Sequence, residues 1–353
     1  MFIYLGRRGA VSQLALELAR AVPEQAVLAI SRQNELYDQI AAAGAPVIGV
    51  DTFAGGAGAL LALPRVVTAR RRLVAALKDY GIDTAVVLMS HVWTPLIAPA
   101  LRRAGARYVV VVHDAMPHSG DRTAVLDGWL LRDARRADQV VTLSRSVTRE
   151  LVEHAGIPAG RVRPLFLPVM GTSENHGASD GRDPSGFLFF GRIMRYKGLP
   201  LFVEACEILR QEGFAFGVGV VGEGNLSDWR PALESWGAEI VNHWVDHAEI
   251  PALMRRYDAV VVPSIDASQS GVVPVAHGHG LPAIVTPAGG LTEQIDDGVT
   301  GLVAASISAP AVADQMRRFL LEPALRQKLR EGVRSRRSAN SVARFVEALT
   351  AEG

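Results

Sequence analysis

Reactive thiols are nearly absent from this chain of 353 residues. Its single cysteine, Cys206, excludes an intramolecular disulfide and fits a reducing compartment, with burial as a small core hydrophobe as the expected role. Lysine is almost as scarce: Lys78, Lys197 and Lys328 are the only lysines among 37 basic residues. No apolar run reaches the roughly 18 residues that a membrane-spanning helix needs. The stretch Ala106–Val112 is too short, and the opening Met1–Arg8 lacks the basic start and apolar core of a cleavable leader. The expected location is cytoplasmic. Charge of one sign is missing too, since 37 basic residues face 36 acidic ones, so no nucleic-acid partner is expected.

What is present suits a globular protein with ample core: 49% hydrophobic and 21% charged residues. The length favours two domains. Short strands and helices alternate along the chain, which implies parallel, doubly wound sheets with right-handed crossovers. The first alternation runs over residues 1–167. Residues 168–184 lose apolar periodicity and read as a linker, and a second alternation covers 185–338 with one helix spanning 310–331. A final helix near 339–350, with Val342, Phe345, Val346 and Leu349 at helical spacing, is expected to pack back on the first domain. The expected fold is α/β, two Rossmann-like doubly wound domains facing a cleft. Charge is split between them, +6 over residues 1–170 and −5 over the rest.

One stretch organises this pattern: Phe187-Leu-Phe-Phe-Gly-Arg-Ile-Met-Arg-Tyr-Lys-Gly198. The unbroken apolar start predicts a strand buried on both faces. Arg192 then stands at its carboxyl end, Lys197 and Gly198 follow in a loop, and Pro200 opens a helix. Open parallel sheets bind ligands outside the carboxyl ends of their strands, so two cations there suit an anion. A solvated basic turn is the competing account. The rarity of lysine favours the anion, because a compact ammonium is a point charge suited to phosphate.

Other segments sit at comparable positions. Gly6-Arg-Arg-Gly9 joins the first strand to a helix, where backbone amides accept phosphate or sugar oxygens. A plain tight turn fits the same spacing. His113 ends the strand Val109–Val112 and His118 follows in the same loop; each is a hydrogen-bonding candidate at a sheet edge or a satisfied structural histidine. Ser268-Gln-Ser-Gly-Val-Val273 precedes a helix and offers an anion nest. Gly289 and Gly290 give a close-approach loop beside it, with Glu293 a structural candidate after them. His277 and His279 have ligand-like spacing but lack an acidic or cysteine partner nearby, so no metal is expected.

Taken in order, these pieces resemble the retaining family 4 glycosyltransferases of GT-B architecture. The resemblance rests on Phe189-Phe-Gly-Arg-x4-Lys-Gly198, Gly222-Glu-Gly224, Asp258-Ala-Val-Val-Val-Pro-Ser264, Gly280-Leu-Pro-Ala-Ile-Val-Thr286, Gly289-Gly-Leu-Thr-Glu293 and Asp297-Gly-Val-Thr-Gly301. Val112-His-Asp-x3-His118 is similar to a subgroup with a His-Asp…Pro-His segment. The resemblance implies a nucleotide-sugar donor bound in the second domain and an acceptor on the first. It implies that Arg192, Lys197, Gly9, Ser270, Gly271 and Val272 hold the diphosphate, and that Gly222, Trp244 and Val245 meet the base and ribose. His113, Gln269 and Ser270 would meet the donor sugar. His113, Arg192 and Lys197 would act in catalysis, with His118, Gly289, Gly290 and Glu293 secondary. No cofactor beyond the sugar nucleotide is implied. The family's usual pair of glutamates, eight residues apart, is missing: Ala267 or Ser268 and Val275 or Ala276 stand there instead. This resembles a subgroup with Ser-Gln-Ser-Gly in their place.

Two functions follow. The first is transfer of a sugar with retention to an acceptor hydroxyl in glycan, polysaccharide or glycoconjugate biosynthesis. The alternative is a non-catalytic nucleotide-sugar-binding subunit. On the acceptor side, Arg65, Arg70, Arg71, Arg72 and Lys78 share the helix 63–80 with Leu63, Val66, Val67, Leu73, Val74 and Leu77. A core-facing stripe with solvated arginines is one reading. The other is peripheral contact with the inner face of the membrane, near a lipid-linked acceptor.

Overall fold

The computed structural model describes residues 1–53, 63–115, 124–171 and 186–351. These form two compact units. One holds the described residues up to Phe166 together with Val342 onward; the other runs from Leu167 to Ser341.

In the first unit seven strands pair in parallel: β1 (Phe2–Tyr4), β2 (Leu28–Ser31), β3 (Val47–Val50), β4 (Thr84–Val87), β5 (Arg107–Val112), β6 (Gln139–Thr142) and β7 (Val162–Pro164). Their order is β3-β2-β1-β4-β5-β6-β7, so the winding reverses between β1 and β4. Helices α1 (Ala10–Ala21), α2 (Tyr37–Ala41), α3 (Leu63–Asp79), α4 (Thr94–Arg103), α5 (Ala124–Arg136) and α6 (Arg145–Glu153) make the connections. Val109 to Val111 are almost wholly shielded from water, as a continuous apolar run in a two-faced sheet requires. Ser144 starts α6 by accepting the Val147 amide at 3.2 Å.

The second unit repeats the design with β8 (Gly186–Phe190), β9 (Gly217–Val221), β10 (Glu239–Val241), β11 (Ala259–Val262), β12 (Ala283–Val285) and β13 (Gly301–Val303). Their order is β10-β9-β8-β11-β12-β13, reversing between β8 and β11. Helices α7 (Leu199–Gln211), α8 (Arg230–Ser235), α9 (Ile250–Met254), α10 (Val272–Gly278), α11 (Ala309–Leu321) and α12 (Pro323–Arg336) cover it. Phe187 packs edge-on against both Phe216 and Phe319, with ring centroids 5.6 Å apart in each pair. Cys206 is fully buried in α7, and burial pushes its thiol well above the ordinary range, so it is an inert core residue.

One helix differs from the sequence expectation. The segment expected as a single helix over 310–331 is two, α11 and α12. Pro323 has no amide proton and clashes with a continuing helix, and Glu322 leaves helical geometry at φ −112°, ψ 83°. The final helix, α13 (Val342–Thr350), buries Val342, Phe345, Val346 and Leu349. Phe345 meets Phe166 edge-on at 6.0 Å, and the Ala351 carbonyl accepts from Arg163 at 2.9 Å. Residues 172–185, most of the expected linker, lie outside the described residues, as does the Gly-rich stretch Ala54–Ala59.

Helix α3 turns Val66, Ala69, Leu73, Ala76 and Leu77 into the core, which settles the apolar stripe as core-facing. Val67 is exposed and Val74 half-buried. Among the described residues no helix is long and apolar enough to cross a membrane.

Candidate functional site

The site builds from the reversal point between β8 and β11. There the loops leaving the two strands must lie side by side, because no crossover helix separates them. The structure closes that contact tightly. Gly198 has φ +73°, and a side-chain carbon there would lie 1.8 Å from the Pro263 carbonyl oxygen. The Ile265 amide donates to the Tyr196 carbonyl at 2.8 Å. Only glycine permits both the backbone conformation and the approach.

Within this clasp Arg192 is exposed and Lys197 half-buried. Arg192 Nη2 donates to the Tyr196 hydroxyl at 3.1 Å. The Lys197 ammonium lies 5.0 Å from the centroid of the same ring. A short 3-10 turn, Arg195–Lys197, delivers the lysine, and the ring itself is buried. Two positive charges thus contact one tyrosine, one at its hydroxyl and one over its ring, at the carboxyl edge of a parallel sheet.

The loop after β11 faces the same edge. Its conformation is fixed by Gln294, whose Oε1 accepts the Ser270 amide at 2.7 Å while its Nε2 donates to the Ser270 carbonyl at 3.1 Å. The Ser270 hydroxyl accepts the Val272 amide at 3.3 Å. Gly271 follows Ser270 directly at the head of α10, and the Val272 side chain stands against Gly191. Gln269 is half-buried in this loop. The Gly290 amide donates to the Ala267 carbonyl at 3.0 Å, so the Gly289–Gln294 turn braces the loop from behind. Glu293 lies exposed on that turn.

Toward β9 and β10, Gly222 donates to the Val241 carbonyl at 2.9 Å. A side-chain carbon at Gly222 would sit 1.8 Å from the Gly191 oxygen, so this turn presses on the one that carries Arg192. Asn242 Oδ1 accepts the Gly224 amide at 3.2 Å. Trp244 and Val245 follow, both half-buried, and His243 Nδ1 donates to the Trp244 carbonyl at 2.9 Å. Arg192, Lys197, Ser270, Gly271, Val272, Gln269, Gly222, Trp244 and Val245 are therefore brought to one edge of one sheet.

In the first unit the equivalent edge carries His113. A carbonyl can only accept, so His113 Nε2 donates to the Leu88 oxygen at 2.8 Å and holds the ring proton. Burial lowers the pKa of His113, which keeps the imidazole neutral near pH 7. Leu88 belongs to the loop after β4, which is tied down by the buried Asp133: Asp133 accepts from Ser90 at 3.2 Å and Tyr108 at 2.7 Å. That loop also presents His91, whose pKa burial lowers to about 4, in a cluster of rings with Phe53 tilted against it at 5.3 Å and Trp93 edge-on at 5.8 Å. Sequence reasoning passed over His91, although a histidine just beyond a strand was the signal used for His113.

Gly9 is corrected. Its amide donates to Glu35 Oε1 at 2.8 Å, so a carboxylate of the chain already fills the anion position at the start of α1. His118 lies outside the described residues. His277 and His279 are buried in and just after α10, where His279 Nδ1 donates to the Val275 carbonyl at 2.8 Å. Among the described residues no group of three or more His, Cys, Asp or Glu side chains is placed to hold a metal.

Two doubly wound parallel units, with cations at the reversal point of the second, fit the GT-B class of glycosyltransferases. Residues 10–166 match the family described as Glycosyltransferase Family 4, and residues 184–322 match Glycosyl transferases group 1. The chain is a GT-B glycosyltransferase. It is 28% identical to the glycogen synthase of Mycobacterium tuberculosis (strain CDC 1551 / Oshkosh) over 298 residues, 78% of this chain and 70% of the relative. It is 33% identical to the D-inositol 3-phosphate glycosyltransferase of Arthrobacter sp. (strain FB24) over 255 residues, 67% of this chain and 60% of the relative. In fold it is similar to Anabaena HepE, solved with UDP and glucose (TM-score 0.73, 17% identity, 99% of each chain). It is also similar to sucrose-phosphate synthase from Thermosynechococcus elongatus (TM-score 0.71, 18% identity, 99% of this chain and 97% of that one).

Proposed function

We propose that this glycosyltransferase moves a sugar from a nucleoside-diphosphate sugar to an acceptor hydroxyl with retention of configuration. The observation that carries the reading is the pair Arg192 and Lys197 contacting Tyr196 at the β8–β11 reversal point. The UDP and glucose bound by Anabaena HepE support a sugar-nucleotide donor, and the glycogen synthase relative supports glycan synthesis. The bond from the sugar's anomeric carbon to the diphosphate oxygen breaks, and its electron pair leaves with the phosphate. Arg192 and Lys197 neutralise the charge that grows there. The acceptor oxygen bonds to the anomeric carbon on the same face, and its proton passes to the departing phosphate oxygen. No cofactor takes part.

Within this reading Gly271 and Val272 border the diphosphate, Trp244 and Val245 border the base, and Gln269 and Ser270 supply neutral hydrogen bonds where the family commonly has glutamates. His113, neutral and oriented through Leu88, is the first unit's candidate for the transferred sugar. Val67 and Arg71, exposed on the outer face of α3, support an acceptor presented on an anionic lipid surface. Co-sedimentation with anionic but not neutral liposomes checks that point.

The test of transfer is a panel of nucleotide-sugars, read as nucleoside diphosphate release with and without added acceptors, followed by the anomeric configuration of the product. Lys197→Ala is expected to lower turnover about 100-fold. Absence of release across the panel, or an inverted product, refutes the reading.

A further inference from the structure

At the carboxyl edge of the first sheet, α3 leaves a cavity of about 430 Å3 against the ends of β2 and β3, lined by Gln33, Asp51, Arg65, Thr68 and Arg72 among others. Its polar groups are oriented by the fold. Gln33 Oε1 accepts the Thr52 amide at 2.8 Å and the Thr52 hydroxyl at 2.9 Å. Because a backbone N–H must meet an oxygen, this fixes which end of the amide is which. The Gln33 NH2 group makes no hydrogen bond among the described residues.

Arg65 and Arg72 are two turns apart on one face of α3. Each commits one guanidinium nitrogen to a backbone carbonyl, Arg65 to Thr52 at 3.1 Å and Arg72 to Gly49 at 3.2 Å. These tethers spend one nitrogen apiece and aim the rest of each fork. The acidic group present is Asp51, which Arg32 and Arg72 approach only loosely, at 3.5 and 3.4 Å, with all three side chains about half exposed. Two arginines, Arg65 and Arg72, line the cavity against one carboxylate, whose other oxygen Arg32 approaches from outside the lining. This leaves a net positive cavity with planar donors, the arrangement that receives a phosphate or carboxylate bidentately.

We propose that this cavity is an anion subsite that binds a phosphate or carboxylate group carried by the acceptor. The proposal rests on the transfer reading for the word acceptor; the anion site itself does not. It makes the acceptor an acidic sugar, a sugar phosphate or a polyol phosphate rather than a neutral hexose.

Calorimetric titration of the full chain tests it, using inorganic phosphate, glucose 6-phosphate, glucuronate and glucose at matched ionic strength. Glucose 6-phosphate should bind, with phosphate competing for the same site; binding of glucuronate as well widens the class to carboxylates. An Arg65→Gln/Arg72→Gln variant should bind at least about tenfold more weakly. Because those arginines also tether β3, Thr68→Glu provides a second variant: it places a carboxylate at the cavity wall, leaves both tethers intact, and should weaken anions in the same way. Equal binding of glucose and glucose 6-phosphate, no anion binding at all, or binding that both variants leave unchanged would overturn the proposal. Nucleoside diphosphate release by the wild-type protein reports on the transfer reading separately, so the two fail in different measurements.

Discussion

The Tyr196 hydroxyl accepts a hydrogen bond from Arg192 at 3.1 Å, and through it the exposed arginine is held beside Lys197 rather than left to rotate in solvent. The ring beneath does two jobs, as acceptor for one cation and as a π-face 5.0 Å from the other. Removing the two roles separately should give graded effects. Tyr196→Phe keeps the face and loses the hydroxyl, so the donor KM is expected to rise about three- to tenfold with folding intact. Tyr196→Leu loses both and should cost a further several-fold in kcat/KM. A wild-type donor KM in Tyr196→Phe would show that the hydroxyl contact has no part in placing Arg192, and identical kinetics for the two variants would show the same of the ring face and Lys197.

The contact of Gly198 with Pro263 gives a sharper test of the clasp. Gly198→Ala adds a carbon where the Pro263 oxygen already lies 1.8 Å away and asks alanine to adopt φ +73°. The conformation alone costs about 1 kcal/mol or more, and the overlap forces the β8 and β11 loops apart. Nucleotide binding should fall at least about tenfold, with a lower unfolding temperature. Unchanged binding would mean that the two loops do not act together.

Stability of the second unit should depend on Asp258 more than on its surface ion pairs. Asp258 is buried just before β11, accepts the Gly186 amide at the start of β8 at 2.9 Å, and receives Arg330 from α12 at 2.5 Å. Removing one partner of a buried pair leaves a charge or a donor without compensation, which costs about 3 kcal/mol. Arg330→Met is expected to lower the unfolding midpoint in urea accordingly. Asp258→Asn combined with Arg330→Met should recover part of the loss; full additivity of the two changes would count against a coupled pair.

Acid should destabilise the second unit through His277. Burial lowers its pKa from the ordinary 6.5 to about 4. The unfolded chain therefore binds a proton that the folded chain refuses between those values, and stability falls as pH drops through this window, levelling below it. The full effect is roughly 3 kcal/mol. Thermal unfolding between pH 7 and pH 4.5 should show the decline, and His277→Phe should flatten it. A decline of equal slope in that variant would assign the acid sensitivity to other groups, His279 in the same unit first among them, since burial lowers its pKa too.

Much of the scaffold was legible because its signals are local. Val109–Val112 and Phe187–Phe190 announce buried parallel strands by unbroken hydrophobicity, and Val342, Phe345, Val346 and Leu349 announce a helix by spacing. The break at Pro323 was equally local and should have ended the expected 310–331 helix; the apolar residues on either side masked it.

The site was legible only where a residue acts from its own loop. The sequence by itself determined that Arg192 and Lys197 follow a buried strand, and that small residues surround Gly271, since these facts are set by neighbours in the chain. Only the tertiary structure decided what those loops meet. Glu35, 26 residues from Gly9, takes the amide that looked open to phosphate. Gln294, 24 residues from Ser270, fixes the loop ahead of α10. Gln33, Arg65 and Arg72 become one cavity because β2, β3 and α3 converge. Periodicity reports which face of an element is buried, whereas a hydrogen-bond partner depends on strand order and register, and those emerge when non-adjacent segments pack.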